Sequence, residues 1–176
     1  AELFKVEEYV EMVLGYLRTE NISSDLSLSK YPLDNIIREQ IHRYAGIFIS
    51  KKLSLTYDGT DETVLTDEKW LGFVIGQILS NSLKYTKDGG IKIYVQNGTL
   101  LIEDTGIGIR SEDLPRVFEK GYTGINGRDD RHATGIGLYL CKKILNRLGH
   151  NISIESEEEK GTHVLIRFPQ ENLTLY

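Results

Sequence analysis

With a single cysteine, Cys141, in 176 residues, the chain cannot build an internal disulfide framework, and such scarcity fits a reducing compartment. Cys141 falls in the apolar-periodic segment Leu138–Leu145, the place of a buried structural thiol rather than a nucleophile. No run approaches the roughly 18 apolar residues of a membrane span, and no signal peptide is visible, so the chain is expected not to be membrane-embedded. Positive charge is short as well. Lys and Arg number 21 against 26 Asp and Glu, a net charge of −5, which argues against nucleic acid as the main partner. GxxxxGK[ST] occurs nowhere, which excludes a P-loop. Internal repeats and low-complexity segments are also lacking. What remains is an ordinary globular composition, 40% hydrophobic and 27% charged, with length for one full-sized domain and an appendage.

The first periodic segment is residues 2–20. Leu3, Val6, Val10, Val13 and Leu17 fall on alternating three- and four-residue steps. That pattern suits either a helix–helix seam or an amphipathic helix lying on the domain's own core. Asn21 to Asp25 breaks it. Leu26 to Leu33 admits a short strand, and Pro32 suits the first turn of a helix through Lys52. Its buried side is expected to hold Ile36, Ile37, Ile41, Tyr44, Ala45, Phe48 and Ile49, with His42 at the surface. Leu53–Tyr57 and Glu62–Leu65 read as strands, and Thr66 or Asp67 as the cap of a central helix. That helix has a buried stripe of Leu71, Val74, Ile75, Ile78 and Ser82. A polar stripe of Gln77, Asn81, Lys84, Tyr85 and Asp88 recurs at the same period.

Ile91–Gln96 and Thr99–Glu103 flank Asn97-Gly98, a strong hairpin signal. Ser111–Leu114 suits a short helical turn, and Gly121–Thr134 a long mobile loop. A helix follows from about Gly135 to Leu148, closed by Gly149. Strands at Asn151–Ser156 and Thr162–Phe168 complete the chain. The antiparallel hairpin excludes a purely parallel sheet. The expected fold is a two-layer α/β sandwich: a mixed, mostly antiparallel sheet covered on one face by helices and preceded by an N-terminal helix.

Four segments carry chemistry. On the central helix, Asn81 and Lys84 project from the polar stripe, a pattern that by itself also describes a solvated face. Asp104-x-Gly106-x-Gly108 places an acid at a strand end, where it can accept a hydrogen bond from an exocyclic amine while glycines let backbone approach a flat ring. Alone it is also a turn with an Asx cap. Thr134-Gly135-Ile136-Gly137-Leu138 opens a helix, whose free N–H groups and dipole suit phosphate. Gly161-Thr162 opens the last strand.

In this order the four resemble the ATP-binding boxes of the GHKL superfamily, the gyrase, heat-shock chaperone, histidine kinase and MutL group with the Bergerat fold. Asn81-Ser-Leu-Lys84-Tyr85-Thr86 is similar to the asparagine box of bacterial sensor histidine kinases. Asp104 to Ile109 resembles their first glycine box, Val117-Phe118-Glu119-Lys120-Gly121-Tyr122 their phenylalanine box, and Thr134 to Leu138 their second glycine box. Gly161-Thr162 is similar to their closing Gly-Thr. The likeness covers residues 31 to 168.

The resemblance implies ATP with Mg²⁺, a hard cation suited to oxygen ligands. By position, Asn81 would coordinate Mg²⁺ and Lys84 meet phosphate. Tyr85 would pack near the adenine, whose amino group Asp104 would accept with support from Thr162. Gly106, Gly108, Ile109, Phe118, Tyr122 and Thr134 to Leu138 (Gly135, Ile136 and Gly137 between) complete the implied site. Residues 121–134 would be an ATP lid, with Arg128 and Arg131 both candidates for phosphate. Gln77 stands where many kinases carry a second asparagine, so its share in metal binding is open. Thr134-Gly-Ile-Gly replaces a more glycine-rich hinge.

Phosphoryl transfer also needs an acceptor. In sensor kinases it is a histidine followed by an acidic residue, but His42, His132, His150 and His163 precede Arg43, Ala133, Asn151 and Val164. The resemblance therefore implies a histidine autokinase catalytic domain lacking its acceptor. Residues 1–25 would be the end of the dimerisation helix with a hinge, and 26–176 the ATP-binding domain. Its implied partners are the dimerisation domain of the same kinase and a response regulator. The implied setting is a homodimeric, membrane-anchored bacterial sensor with this domain cytoplasmic. Glu7-Glu-Tyr-Val-Glu-Met12 with Gly15-Tyr-Leu-Arg18 resembles small sensor kinases of low-GC Gram-positive bacteria. The competing expectation is an anti-sigma serine kinase or a nucleotide-gated ATPase or binding module.

Overall fold

Ile91 and Ile93, Leu100 and Ile102, Val164 and Ile166 alternate with more exposed neighbours, and a period of two turns all six to one side of a sheet. The computed structural model describes residues 2–19, 26–124 and 134–169. Its elements are α1 (Glu2–Thr19), β1 (Ser29–Pro32), α2 (Leu33–Lys51), β2 (Ser54–Thr56), β3 (Thr63–Thr66) and α3 (Glu68–Tyr85). There follow β4 (Gly90–Gln96), β5 (Thr99–Asp104), a 3₁₀ turn (Leu114–Arg116), α4 (Gly137–Arg147), β6 (Asn151–Glu157) and β7 (Gly161–Arg167). Five strands form one sheet in the order β2-β4-β5-β7-β6, parallel only between β2 and β4. β1 and β3 pair separately and antiparallel. The apolar face packs under α2, α3 and α4, so the two-layer sandwich with a mixed, mostly antiparallel sheet is the observed fold.

α3 is the core's axis. Asp67 caps it, its Oδ1 accepting from the N–H groups of Lys69 (3.0 Å) and Trp70 (3.1 Å) while Oδ2 takes Ser27 N–H at 2.8 Å. Leu71, Val74, Ile75, Ile78, Leu79, Ser82 and Leu83 are all buried. Gly76 lets α2 approach: a Cβ there would lie 2.9 Å from Gln40 Oε1. Across the core, the Cys141 thiol donates to Val74 O, and burial pushes its pKa up to about 12, which leaves it an inert packing group.

Two expectations for the helices need correction. Ile49 is 76% exposed; it lies about 100° round the helix from buried Phe48 and so turns off the contact with α3. Asp88 does not belong to the polar stripe, because Thr86 is extended (φ −100°, ψ 120°), so α3 stops at Tyr85 and Asp88 falls in the turn before β4.

α1 lies on the domain's own core along part of its length. Met12 packs against the core, Gly15 meets the Phe73 ring, and Glu11 accepts from Arg43 of α2 at 2.7 Å. Val6, Val10, Val13 and Leu17 nevertheless remain 38–60% exposed. The break expected at Asn21 to Asp25 lies outside the described residues.

Candidate functional site

β5 delivers Asp104 to the sheet's end, directly opposite Thr162 of β7. Asp104 Oδ1 accepts from Gly106 N–H at 2.9 Å and Thr162 N–H at 3.2 Å. Burial raises the carboxyl's pKa, opposed by the Gly106 amide, the Ser82 hydroxyl and the Thr162 amide, which favour the carboxylate. Gly106 is a close-approach position: a Cβ would fall 2.7 Å from Tyr85 O, 2.8 Å from Asp104 Oδ1 and 3.0 Å from Thr86 Oγ. Thr86 Oγ, fully buried, has no hydrogen-bond partner among the described residues. Ser156 wires the first glycine box to the last strand. Its hydroxyl accepts from Ile109 N–H (2.8 Å), donates to Gly161 O (2.7 Å) and lies 2.9 Å from Thr162 Oγ. Gly108 packs against the β6–β7 turn.

The polar face of α3 meets the start of α4. Gln77 and Asn81 are half-buried, and a Cβ at Gly137 would lie 3.1 Å from Gln77 Oε1. Ile136 is the N-cap of α4 and makes no side-chain cap, so the helix opens with amides that no capping side chain covers. Gly135 (φ +65°) accepts from Gly121 N–H at 2.9 Å, and a Cβ there would stand 2.5 Å from Gly121 C. This pair ties the phenylalanine box to the second glycine box, the two ends of the expected lid. Thr134 Oγ accepts from Ile136 N–H (3.4 Å) and donates to Met12 Sδ (3.3 Å). Leu138 is half-buried in the first turn of α4.

Around this frame Lys84 Nζ sits 5.0 Å from the Tyr85 ring centroid and Lys142 Nζ 4.8 Å from that of Phe118. Tyr122 donates to Asp113, and Arg116 lies 4.2 Å over its ring. Arg128, Arg131 and His132 fall outside the described residues. Sequence reasoning missed Ser156, Ser82 and Thr86 as site groups. Ser82 shows the cause: period put it on the buried stripe, but only tertiary contact reveals that its hydroxyl reaches a carboxylate.

The residues fit an adenine nucleotide. One end offers a buried carboxylate acceptor beside glycine backbone and an orphaned hydroxyl; the other offers an uncapped helix N-terminus suited to phosphate. Among the described residues no group of three or more His, Cys, Asp or Glu is placed to hold a metal ion. The side-chain amides of Asn81 and Gln77 on α3 carry the kind of hard oxygen donor that a magnesium ion would take.

Fold and site together define an ATP-binding ATPase domain of two α/β layers. The family model for the histidine kinase-, DNA gyrase B- and HSP90-like ATPases matches residues 66–172, and the chain belongs to that family. It is 35% identical to the sensor histidine kinase GraS of Staphylococcus haemolyticus over 97% of its own length and 51% of GraS. It thus spans about half the length of the curated relatives it matches. Among solved structures, full-length ShkA in complex with AMPPNP superposes with a TM-score of 0.73 at 20% identity, over 91% of this chain and 35% of ShkA. The Acinetobacter baumannii histidine kinase AdeS gives 0.71 at 22% identity, over 93% of this chain and 77% of that one. At such identities these two likenesses speak for the fold.

Proposed function

We propose that the chain is the catalytic part of a sensor histidine kinase: residues 26–176 bind MgATP, and residues 1–25 end the dimerisation helix and form the hinge. The observation that carries this reading is the Asp104 seat, a buried carboxylate aligned by the Gly106 and Thr162 amides. In it Asp104 accepts the adenine amino group, Tyr85 packs beside the base, and Lys84 and the first amides of α4 meet the phosphates. Asn81, with Gln77 beside it, would supply amide oxygen to Mg²⁺. When bound, the metal neutralises charge on the phosphates.

Catalysis of this kind is positioning and charge stabilisation. The bond from the γ-phosphorus to the bridging oxygen breaks, ADP leaves, and a nitrogen–phosphorus bond forms on a histidine of the dimerisation domain. The imidazole proton passes to that histidine's acidic neighbour. The open stripe on α1 supports a dimerisation helix, since a/d side chains that the domain leaves exposed are the kind a partner helix buries. The homodimer, the response regulator and a membrane-anchored parent protein follow from the same reading. AMPPNP in ShkA agrees with the nucleotide class.

Mixing the domain with a separately made dimerisation domain and radiolabelled ATP tests the proposal. Acid-labile, base-stable label on the partner's histidine is expected. Label on serine, or ATP hydrolysis without label, would point to an anti-sigma kinase or an ATPase instead.

A further inference from the structure

A helix leaves its last carbonyls without intrahelical partners, and the common remedy is a left-handed glycine just beyond the end. α3 lacks it, because extended Thr86 follows Tyr85 directly. Its terminal carbonyls are shared between two other parts of the fold. Lys51, in the last turn of α2, donates from Nζ to Leu83 O and to Thr86 O, the latter at 2.9 Å. Tyr85 O, between them in sequence, accepts from Ile107 N–H of the first glycine box at 3.1 Å. An ammonium at a helix C-terminus is also favoured by the helix dipole, and its bonds to carbonyls are charge-assisted.

The carbonyls on either side of the Tyr85–Thr86 peptide, Leu83 O and Thr86 O, are thus held by Lys51, and the carbonyl of that peptide itself, Tyr85 O, by the box that follows Asp104. Clearance there is small: Tyr85 O and Thr86 Oγ are, with Asp104 Oδ1, the atoms a Cβ on Gly106 would crowd. We propose that Lys51 is a positioning residue for the adenine seat, fixing the end of the Asn81 helix so that Tyr85, Gly106 and Ile107 keep the spacing the base requires. This rests on the adenine-nucleotide reading. Lys51 touches no nucleotide; it acts through the Tyr85–Thr86 backbone. Without it, the Leu83 and Thr86 carbonyls would turn to water and open the last turn of α3, taking the Ile107 hydrogen bond with it.

The test measures ADP and ATP affinity by calorimetry, well below the melting temperature, for the wild type, Lys51→Met and Lys51→Arg. Lys51→Met keeps the apolar stem and loses the donors. It is expected to weaken both nucleotides by the same factor, about five- to thirtyfold, and Lys51→Arg to recover affinity to within about threefold. Amide exchange in Lys51→Met is expected to speed up at Ile107 more than at Ile93 or Ile102. Should Lys51→Met not fold, Lys51→Gln, with one donor retained, is expected to show a smaller loss of the same kind. Unchanged affinity in a variant that merely melts earlier, a loss confined to ATP, or uniformly faster exchange overturns the role of Lys51. A wild type that binds neither nucleotide overturns the underlying reading instead.

Discussion

α1 and α3 are both 18-residue amphipathic helices, and they end in opposite conditions. α3 is surrounded. Seven of its apolar and small polar side chains are buried, its N-terminus is capped by Asp67, and its C-terminal carbonyls are held by Lys51 and Ile107. α1 touches the domain through Met12, Gly15 and Glu11 and leaves Val6, Tyr9, Val10, Val13, Leu14 and Leu17 exposed. Periodicity therefore tells which side of a helix is apolar, and only packing tells whether this chain contains the surface that covers it.

The contrast is sharpest for nucleotide binding. Asn81→Ala on α3 is expected to weaken MgADP about a hundredfold or more, whereas Val10→Ser on α1 leaves it within about twofold; calorimetry on both decides it. Asp104→Asn should match Asn81→Ala in lost affinity while the empty domain melts no earlier. The sign follows from Asp104's raised pKa, caused first by burial. A carboxyl raised in the fold contributes stability below its unfolded pKa and loses it as pH rises through the folded one. Above the raised pKa the ionised group therefore disfavours the fold, and a neutral amide relieves that. Nucleotide affinity of the wild type should correspondingly fall as pH drops through the raised value.

Packing gives the next effect. Leu79→Ala, at a site with no exposed surface, should cost about 3 kcal/mol in denaturant unfolding, against about 0.5 kcal/mol or less for Val10→Ser. A smaller, pH-dependent effect sits just ahead of α3. His150 Nε2 lies 3.0 Å from Thr66 Oγ beside the cap residue Asp67, edge-on to Phe168. Burial lowers its pKa from 6.5 to about 4. The unfolded chain takes the proton first, so His150's contribution is intact above about pH 6.5 and declines as pH falls toward 4. His150→Gln should flatten the melting curve's dependence on pH in that window. Smallest of all, Arg43→Ala should release α1's ion pair with Glu11 at about 0.5 kcal/mol or less, since both side chains are part-exposed.

Much of this molecule was legible beforehand where local chemistry and global fold agree. The Asn97-Gly98 hairpin, the Asp67 cap, the buried stripe of α3 and the order of the four boxes follow from turn residues, period and spacing, properties the chain carries locally. Ile49 and Asp88 were misplaced because period alone marks neither the edge of a helix contact nor the residue at which a helix gives way to extended backbone. Ser156, Thr86 and Lys51 were not visible because their meaning depends on partners 47, 20 and 32–35 residues away.

Local sequence set the elements and the family, because glycine, asparagine and aspartate at those spacings limit what the backbone can do. Tertiary structure alone decided which helix is enclosed and which is open. It also decided which carboxylate is desolvated and aligned, and which lysine holds the end of the Asn81 helix. Burial and hydrogen-bond partnership belong to surroundings assembled from distant segments, and no local pattern specifies them.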